Sequence, residues 1–115
     1  MNASLASPAA ALRALADQPE AASALAVTIL EGSHGKDVLM AALQVVAEHP
    51  TDTARPVLRK LYERYSRDKG KHDQGGYFRR AVLDAARTVA RPADAGWLAQ
   101  ACATYEFWPP DFAED

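Results

Sequence analysis

The sequence contains two similar stretches, VLMAALQVVAEHPTD at residues 38–52 and AVLDAARTVARPAD at residues 81–94. Their apolar segments align at a spacing of 43 residues, and the X-Pro-x-Asp turns that follow align at 42. Alanine and leucine favour helices, and the residue before a proline is displaced from helical backbone angles, so each stretch predicts a helix that ends in a turn. The chain therefore uses one helix-turn-helix unit twice. Stacked units of this kind share an apolar core that a single helix pair cannot bury.

The composition of the whole chain points the same way. Of 115 residues, 49% are hydrophobic and 24% charged, and the 25 Ala and 11 Leu far outnumber the 7 Val and single Ile. Strands favour β-branched residues, so we predict an all-α protein. The length suits a single domain over residues 1–115, and the hydrophobic fraction is too high for intrinsic disorder. The formal net charge of -2 excludes a polycation or an acidic tail as the character of the whole chain.

Prolines, glycines and capping residues divide the sequence into six predicted helices. Ser7, Asp37, Asp52 and Asp94 are the expected caps, and a polar, glycine-rich loop is predicted between the fourth and fifth helices. The helices run from Pro8 to Ala16, Pro19 to Gly32, Val38 to Glu48, about Asp52 to Arg67, Tyr77 to Ala90, and Asp94 through Tyr105. The apolar faces predict a core that includes Leu43, Val46, Leu58, Leu61, Val82, Val89, Leu98 and Cys102.

With its short X-Pro-x-Asp turns and a period in the forties, the chain resembles the HEAT-repeat class of α-solenoids over roughly residues 37–105. The resemblance implies a right-handed α-α superhelix of about three antiparallel helix pairs. HEAT proteins chiefly bind other proteins along a concave surface, while some bacterial members bind or act on nucleic acid. The resemblance therefore implies a protein-interaction or scaffold module, with a nucleic-acid-binding domain as the alternative and a helical-repeat base-repair enzyme as a distant third.

Charge is distributed unevenly, with net values of -4 over residues 1–54, +6 over 55–80 and -4 over 81–115. Such a basic band attracts phosphates or an acidic protein surface, although a solvated helix face and loop is the commoner explanation. Its basic residues are Arg55, Arg59, Lys60, Arg64, Arg67, Lys69, Lys71, Arg79 and Arg80.

No catalytic or ligand motif is present in the sequence. The three histidines, at positions 34, 49 and 72, lie in different turns without a second metal ligand at helical spacing, and the loop before helix 5 is not a GxxxxGK[ST] loop. We expect no enzymatic activity, no metal and no cofactor. The single Cys102 excludes an internal disulfide, and the longest apolar run, residues 38–47, is too short to span a bilayer. A cytoplasmic location away from membranes is therefore expected.

Beyond the last predicted helix the chain places three aromatic residues, Phe107, Trp108 and Phe112, beside two prolines. Aromatic residues at this density are usually covered in the complete assembly. They either fold back over the last helix pair as a cap, or bind a partner. Alternatively, Pro110-Asp111 begins a further helix, and the chain is then a fragment of a longer array.

Overall fold

The computed structural model describes residues 7–70, 73 and 76–107, except for the side chains of residues 68–70 and 104–107. About 80% of these residues are helical and none is in a strand, which confirms the all-α prediction. The six helices are α1 (Pro8–Ala14), α2 (Pro19–Glu31), α3 (Lys36–Glu48), α4 (Ala54–Gly70), α5 (Tyr77–Val89) and α6 (Ala95–Phe107), and one turn of 3-10 helix (Pro92–Asp94) precedes α6.

Helix ends follow the expected local chemistry at most positions. The Ser7 hydroxyl accepts a hydrogen bond from the Ala10 amide at 3.0 Å, and a proline opens both α1 and α2. The prediction that Asp37 caps α3 is wrong, because Gly35 holds the cap position and Asp37 lies in the first turn. Helix α4 continues to Gly70, past the predicted start of the loop, since no helix-breaking residue precedes that glycine.

The helices pack in two layers, with α1, α3 and α5 side by side in one and α2 and α4 in the other. Helix α6 lies against α4 through Tyr62, Trp97 and Ala101. The molecule measures 46 × 34 × 18 Å, and the short dimension is the depth of two packed helices. The closest antiparallel pairs are α2 with α3 and α4 with α5. The unit that repeats in sequence instead pairs α3 with α4 and α5 with α6.

The core runs continuously between the layers and contains residues from all six helices. Five predicted core residues are buried, namely Leu43, Val46, Leu58, Leu61 and Val82. Val89 and Leu98 are only partly buried and pack at the rim. The prediction for Cys102 is wrong, because it is exposed: Ala101 turns toward α4, and the next residue is rotated by about 100° toward solvent.

Candidate functional site

Helix α4 separates its side chains into a buried and a charged face, as its sequence predicts. Val57, Leu58, Leu61, Tyr62 and Tyr65 are buried. The opposite arc is exposed between α2 and α6, and we call it the α4 face; its charged residues are Arg59, Lys60, Glu63, Arg64 and Arg67. Four cations and one carboxylate give this face a formal charge of +3.

Internal pairing on the α4 face is limited. Arg59 Nε lies 3.2 Å from Glu63 Oε2, and both side chains are more than half exposed, so solvent screens the pair. The Arg64 guanidinium lies 5.5 Å from the centre of the Tyr65 ring, within the range of a cation–π contact. Among the described side chains, no carboxylate lies within 4.0 Å of Lys60, Arg64 or Arg67. The face therefore keeps positive charge available for an external anion.

A groove borders the α4 face on the side of α2. It encloses about 320 Å³ and combines an apolar floor with two of the free cations and one carboxylate. The lining residues are Leu30, Glu31, Pro56, Val57, Lys60, Leu61 and Arg64.

A second groove, of about 220 Å³, borders the face on the side of α6. In this groove the Tyr62 hydroxyl donates a hydrogen bond to the Ala101 carbonyl at 2.9 Å. The centres of the Tyr62 and Trp97 rings lie 6.4 Å apart. These contacts fix the position of α6. Polar and aromatic groups line this groove: Arg59, Tyr62, Glu63, Ser66, Trp97, Gln100 and Ala101.

The two X-Pro-x-Asp turns are joined by a network of hydrogen-bonded ion pairs. Arg55 Nε donates to Asp94 at 2.7 Å and its Nη1 lies 3.2 Å from Asp52, while Arg91 Nε donates to Asp52 at 2.7 Å. The Arg91 amide closes the network by donating to Asp94 at 2.9 Å. Arg55 belongs to the predicted basic band, but its guanidinium is committed to this link between the turns.

The network shifts the ionisation of its members. Hydrogen bonds from Arg91 and then Arg55 hold the pKa of Asp52 below its ordinary value. Hydrogen bonds from the Arg55 side chain, from the Arg91 amide and, more weakly, from the Trp97 indole lower the pKa of Asp94. The bond to Asp94 in turn raises the pKa of Arg55. All three groups are therefore held in their charged forms, as expected for a structural tie.

A buried ion pair joins the loop before α5 to the helix itself, between Asp73 in the loop and Arg79 in α5. Asp73 is 1% exposed and accepts hydrogen bonds from the amides of Phe78 and Arg79 at 3.0 and 2.8 Å, which caps the start of α5. It also accepts one from Arg79 Nε at 3.0 Å. Gly76 makes the intervening turn possible with a φ of 72°, a left-handed angle that glycine adopts without strain.

The structure thus divides the predicted basic band. Arg79 is 3% exposed and paired with Asp73, so it does not belong to an exposed surface. Arg80 lies on α5 in the other layer, 3.7 Å from Asp84. Of the band's described side chains, four share the α4 face: Arg59, Lys60, Arg64 and Arg67. The Lys69 side chain and all of Lys71 lie outside the described residues.

The predicted aromatic site also falls largely outside the described part of the chain. The Phe107 backbone ends α6, but its side chain, Trp108 and Phe112 are not described. Within the described residues, no group of three or more histidine, cysteine or carboxylate side chains is placed to hold a metal ion. None of the described helices combines the length and apolar character needed to cross a membrane.

Two structural contacts had no counterpart in the sequence analysis. One is the Asp73 and Arg79 pair, whose only sequence signal is an aspartate and a glycine placed before a helix. The other is the buried Ser23, which donates a 2.6 Å hydrogen bond to the His49 carbonyl and ties α2 to the turn after α3. Comparison of the chain with protein-family models, curated proteins and solved structures finds no match.

Proposed function

We propose that this protein is an interaction module that binds an acidic protein segment along the α4 face. The observation that carries the proposal is the formal charge of +3 on an exposed helix between two grooves with apolar and aromatic lining. The apolar lining of the grooves can bury apolar side chains of a partner. The cations orient an acidic partner and increase the rate at which it associates. The neighbouring carboxylates, Glu31 and Glu63, restrict the register in which an acidic segment can lie.

The two-layer packing supports the HEAT-like arrangement as part of this proposal. In such a stack, helices α2, α4 and α6 form one surface and present α4 at its centre. The ties between the Asp52 and Asp94 turns hold successive units in a constant relation. A surface of this kind suits an elongated partner laid across several helices.

Among the described side chains, the number of available cations favours a protein partner over nucleic acid. Three cations without a described partner on the α4 face correspond to about three phosphate contacts, and affinity would then fall about 40-fold between 50 and 200 mM salt. Proteins that make six to ten phosphate contacts lose about 10³ to 10⁵ over that range. The band that suggested nucleic acid had nine members, but Arg55 and Arg79 are internal ties and Arg80 lies on another helix.

The proposal is tested by capture with charge-reversal variants of the full chain. Lys60→Glu with Arg64→Glu reverses the α4 face, and the matched control, Arg80→Glu with Arg87→Glu, makes the same change in net charge on α5. Both control arginines are exposed. We expect acidic proteins retained by the wild type and the control to be lost from the α4 variant. Equal retention by all three chains would refute the site.

A nucleic-acid partner is distinguished in the same experiment. Nuclease treatment before capture removes partners that are bridged by nucleic acid and leaves direct protein partners in place. A labelled oligonucleotide, titrated at about 50 mM and about 200 mM salt, provides a second test. Tight binding at the lower salt that Lys60→Glu with Arg64→Glu abolishes would replace the protein partner with nucleic acid.

A further inference from the structure

Three cations of the α4 face, Lys60, Arg64 and Arg67, form one row along the helix, because spacings of four and three residues return to the same side of a helix. At about 1.5 Å per residue, the row rises about 6.0 Å and then about 4.5 Å. Among the described side chains, no carboxylate lies within 4.0 Å of any member of the row. The row therefore offers a partner three positive charges at a fixed spacing.

The groove between α2 and α4 runs beside this row. Its apolar floor is formed by Leu30, Val57 and Leu61, and two cations of the row line it from α4. On the α2 side it is lined by Glu31, the last residue of that helix, which is exposed. No cation among the described side chains lies within 4.0 Å of the Glu31 carboxylate. The two sides of the groove therefore carry opposite charge, with apolar surface between them.

The spacing of the row matches a helical partner better than an extended one. Carboxylates at the same spacing on a partner helix rise by the same distances and can meet all three cations. Alternate residues of an extended segment lie about 6.8 Å apart, so three carboxylates on one side extend over roughly 14 Å, against about 10.5 Å for the row. A helix also presents its apolar side chains as one stripe, which a groove between two packed helices accommodates. A helix therefore satisfies both the charges and the groove.

We infer that the acidic partner of the α4 face is an amphipathic helix whose carboxylates, spaced by four and three residues, follow one edge of an apolar stripe. The stripe lies in the groove between α2 and α4, and the carboxylates pair with the row. The other edge of the stripe lacks carboxylates, since Glu31 repels them. None of the six described helices has three carboxylates at this spacing, so the partner is not one of these helices in a second copy. The inference rests on the proposed function, because it names the kind of acidic segment that binds there.

Fluorescence anisotropy of labelled synthetic peptides, titrated with the full chain, tests the inference. The probe is a helix-forming peptide with three glutamates at this spacing, leucines on the adjacent stripe, and alanine and glutamine elsewhere. One control peptide has the same composition, but its glutamates lie opposite the leucines. A second has a proline in place of a central alanine, which breaks the helix and retains every charge. We expect the probe to bind at least about tenfold more tightly than either control, because only the probe presents its charges and its apolar stripe together.

Charge reversal then tests the pairing. Lys60→Glu with Arg64→Glu should weaken binding of the probe at least about tenfold, and a probe with lysines in place of its glutamates should bind this variant instead. Arg80→Glu with Arg87→Glu on α5 should bind the original probe as the wild type does. Circular dichroism checks that each variant is folded and that the probe is helical.

Three results would overturn the inference: no measurable binding of the probe, equal binding of the probe and the proline control, or no effect of Lys60→Glu with Arg64→Glu. Failure of the proposed function gives a different pattern. If the α4 variant loses captured acidic proteins while the chain does not prefer the helical probe, the α4 face still binds an acidic segment, but that segment is not a helix. If the α4 variant also retains every captured protein, the proposed function itself fails.

Discussion

At the scale of single residues, Asp73 combines two roles that usually belong to different side chains. Its carboxylate caps the amides at the start of α5, and it also neutralises the buried guanidinium of Arg79. Most exposed ion pairs contribute little to stability, whereas an uncompensated buried charge is expensive. The stability of α5 therefore depends strongly on one loop residue.

We expect Asp73→Ala to lower the free energy of unfolding by about 3 to 5 kcal/mol, because it removes the carboxylate that pairs with the buried Arg79 guanidinium and caps α5. Urea denaturation followed by circular dichroism measures the loss. The control, Asp84→Ala, removes a carboxylate that is half exposed on α5, and its effect should stay within about 0.5 kcal/mol.

The double variant Asp73→Ala with Arg79→Met separates the two roles. Methionine keeps much of the apolar volume of arginine without its charge, so the double variant should be more stable than Asp73→Ala alone. If the double variant were instead less stable, capping and packing would dominate over the buried charge.

At the scale of helices, α3 lies at the centre of its layer and packs against α1, α2 and α5. We expect Leu43→Ala on α3 and Leu61→Ala on α4 each to lower the free energy of unfolding by about 2 to 5 kcal/mol, through lost burial and the remaining cavity. The control Met40→Ala removes a side chain that is 39% exposed on α3 and should have a much smaller effect. Near-neutral values for both leucines would contradict the observed core.

The tie between the two turns gives stability a dependence on pH. The pKa values of Asp52 and Asp94 are lower in the folded chain than the ordinary 3.8, so the unfolded chain binds more protons in this range. The contribution of these two aspartates to stability is therefore fully present above about pH 5 and is lost as pH falls through their folded-state pKa values.

Replacing Arg55 should weaken this dependence. We expect the urea midpoint of the Arg55→Gln variant to change less than that of the wild type between about pH 5 and pH 2, because both aspartates lose a charged hydrogen-bond donor. Arg59→Gln, which removes an exposed pair on the same helix, serves as control and should retain the wild-type profile. An Arg55→Gln profile parallel to that of the wild type would contradict the role of this network.

The positions of the helices could be predicted because their signals are local and periodic. Ser7-Pro8, Pro19 and the two X-Pro-x-Asp turns each restrict the backbone where they stand. The buried pair of Asp73 and Arg79 could not be predicted, because a loop residue and a helix residue six positions apart share no periodic pattern. The sequence also placed Arg55 and Arg79 in the basic band, because their positions along the chain do not show that both form internal ion pairs.

At the scale of the whole molecule, one core joins all six helices in a slab 18 Å deep. We expect a single unfolding transition, since each of the six helices contributes described residues to that core. Urea curves from far-ultraviolet circular dichroism and from Trp97 fluorescence, recorded in a Trp108→Phe background, should coincide. An earlier fluorescence transition would show that α6 unfolds as a separate unit.

The tie between the turns is also asymmetric, because the residue that corresponds to Arg55 in the second unit is Trp97. Trp97 follows Asp94 by three residues, as Arg55 follows Asp52; Arg55 donates a hydrogen bond to Asp52, and the Trp97 indole contributes weakly to the lowered pKa of Asp94. A guanidinium has five N–H donors and reaches forward to the next turn as well, whereas an indole has only one. Trp97 therefore cannot form the second link that Arg55 forms to the following turn.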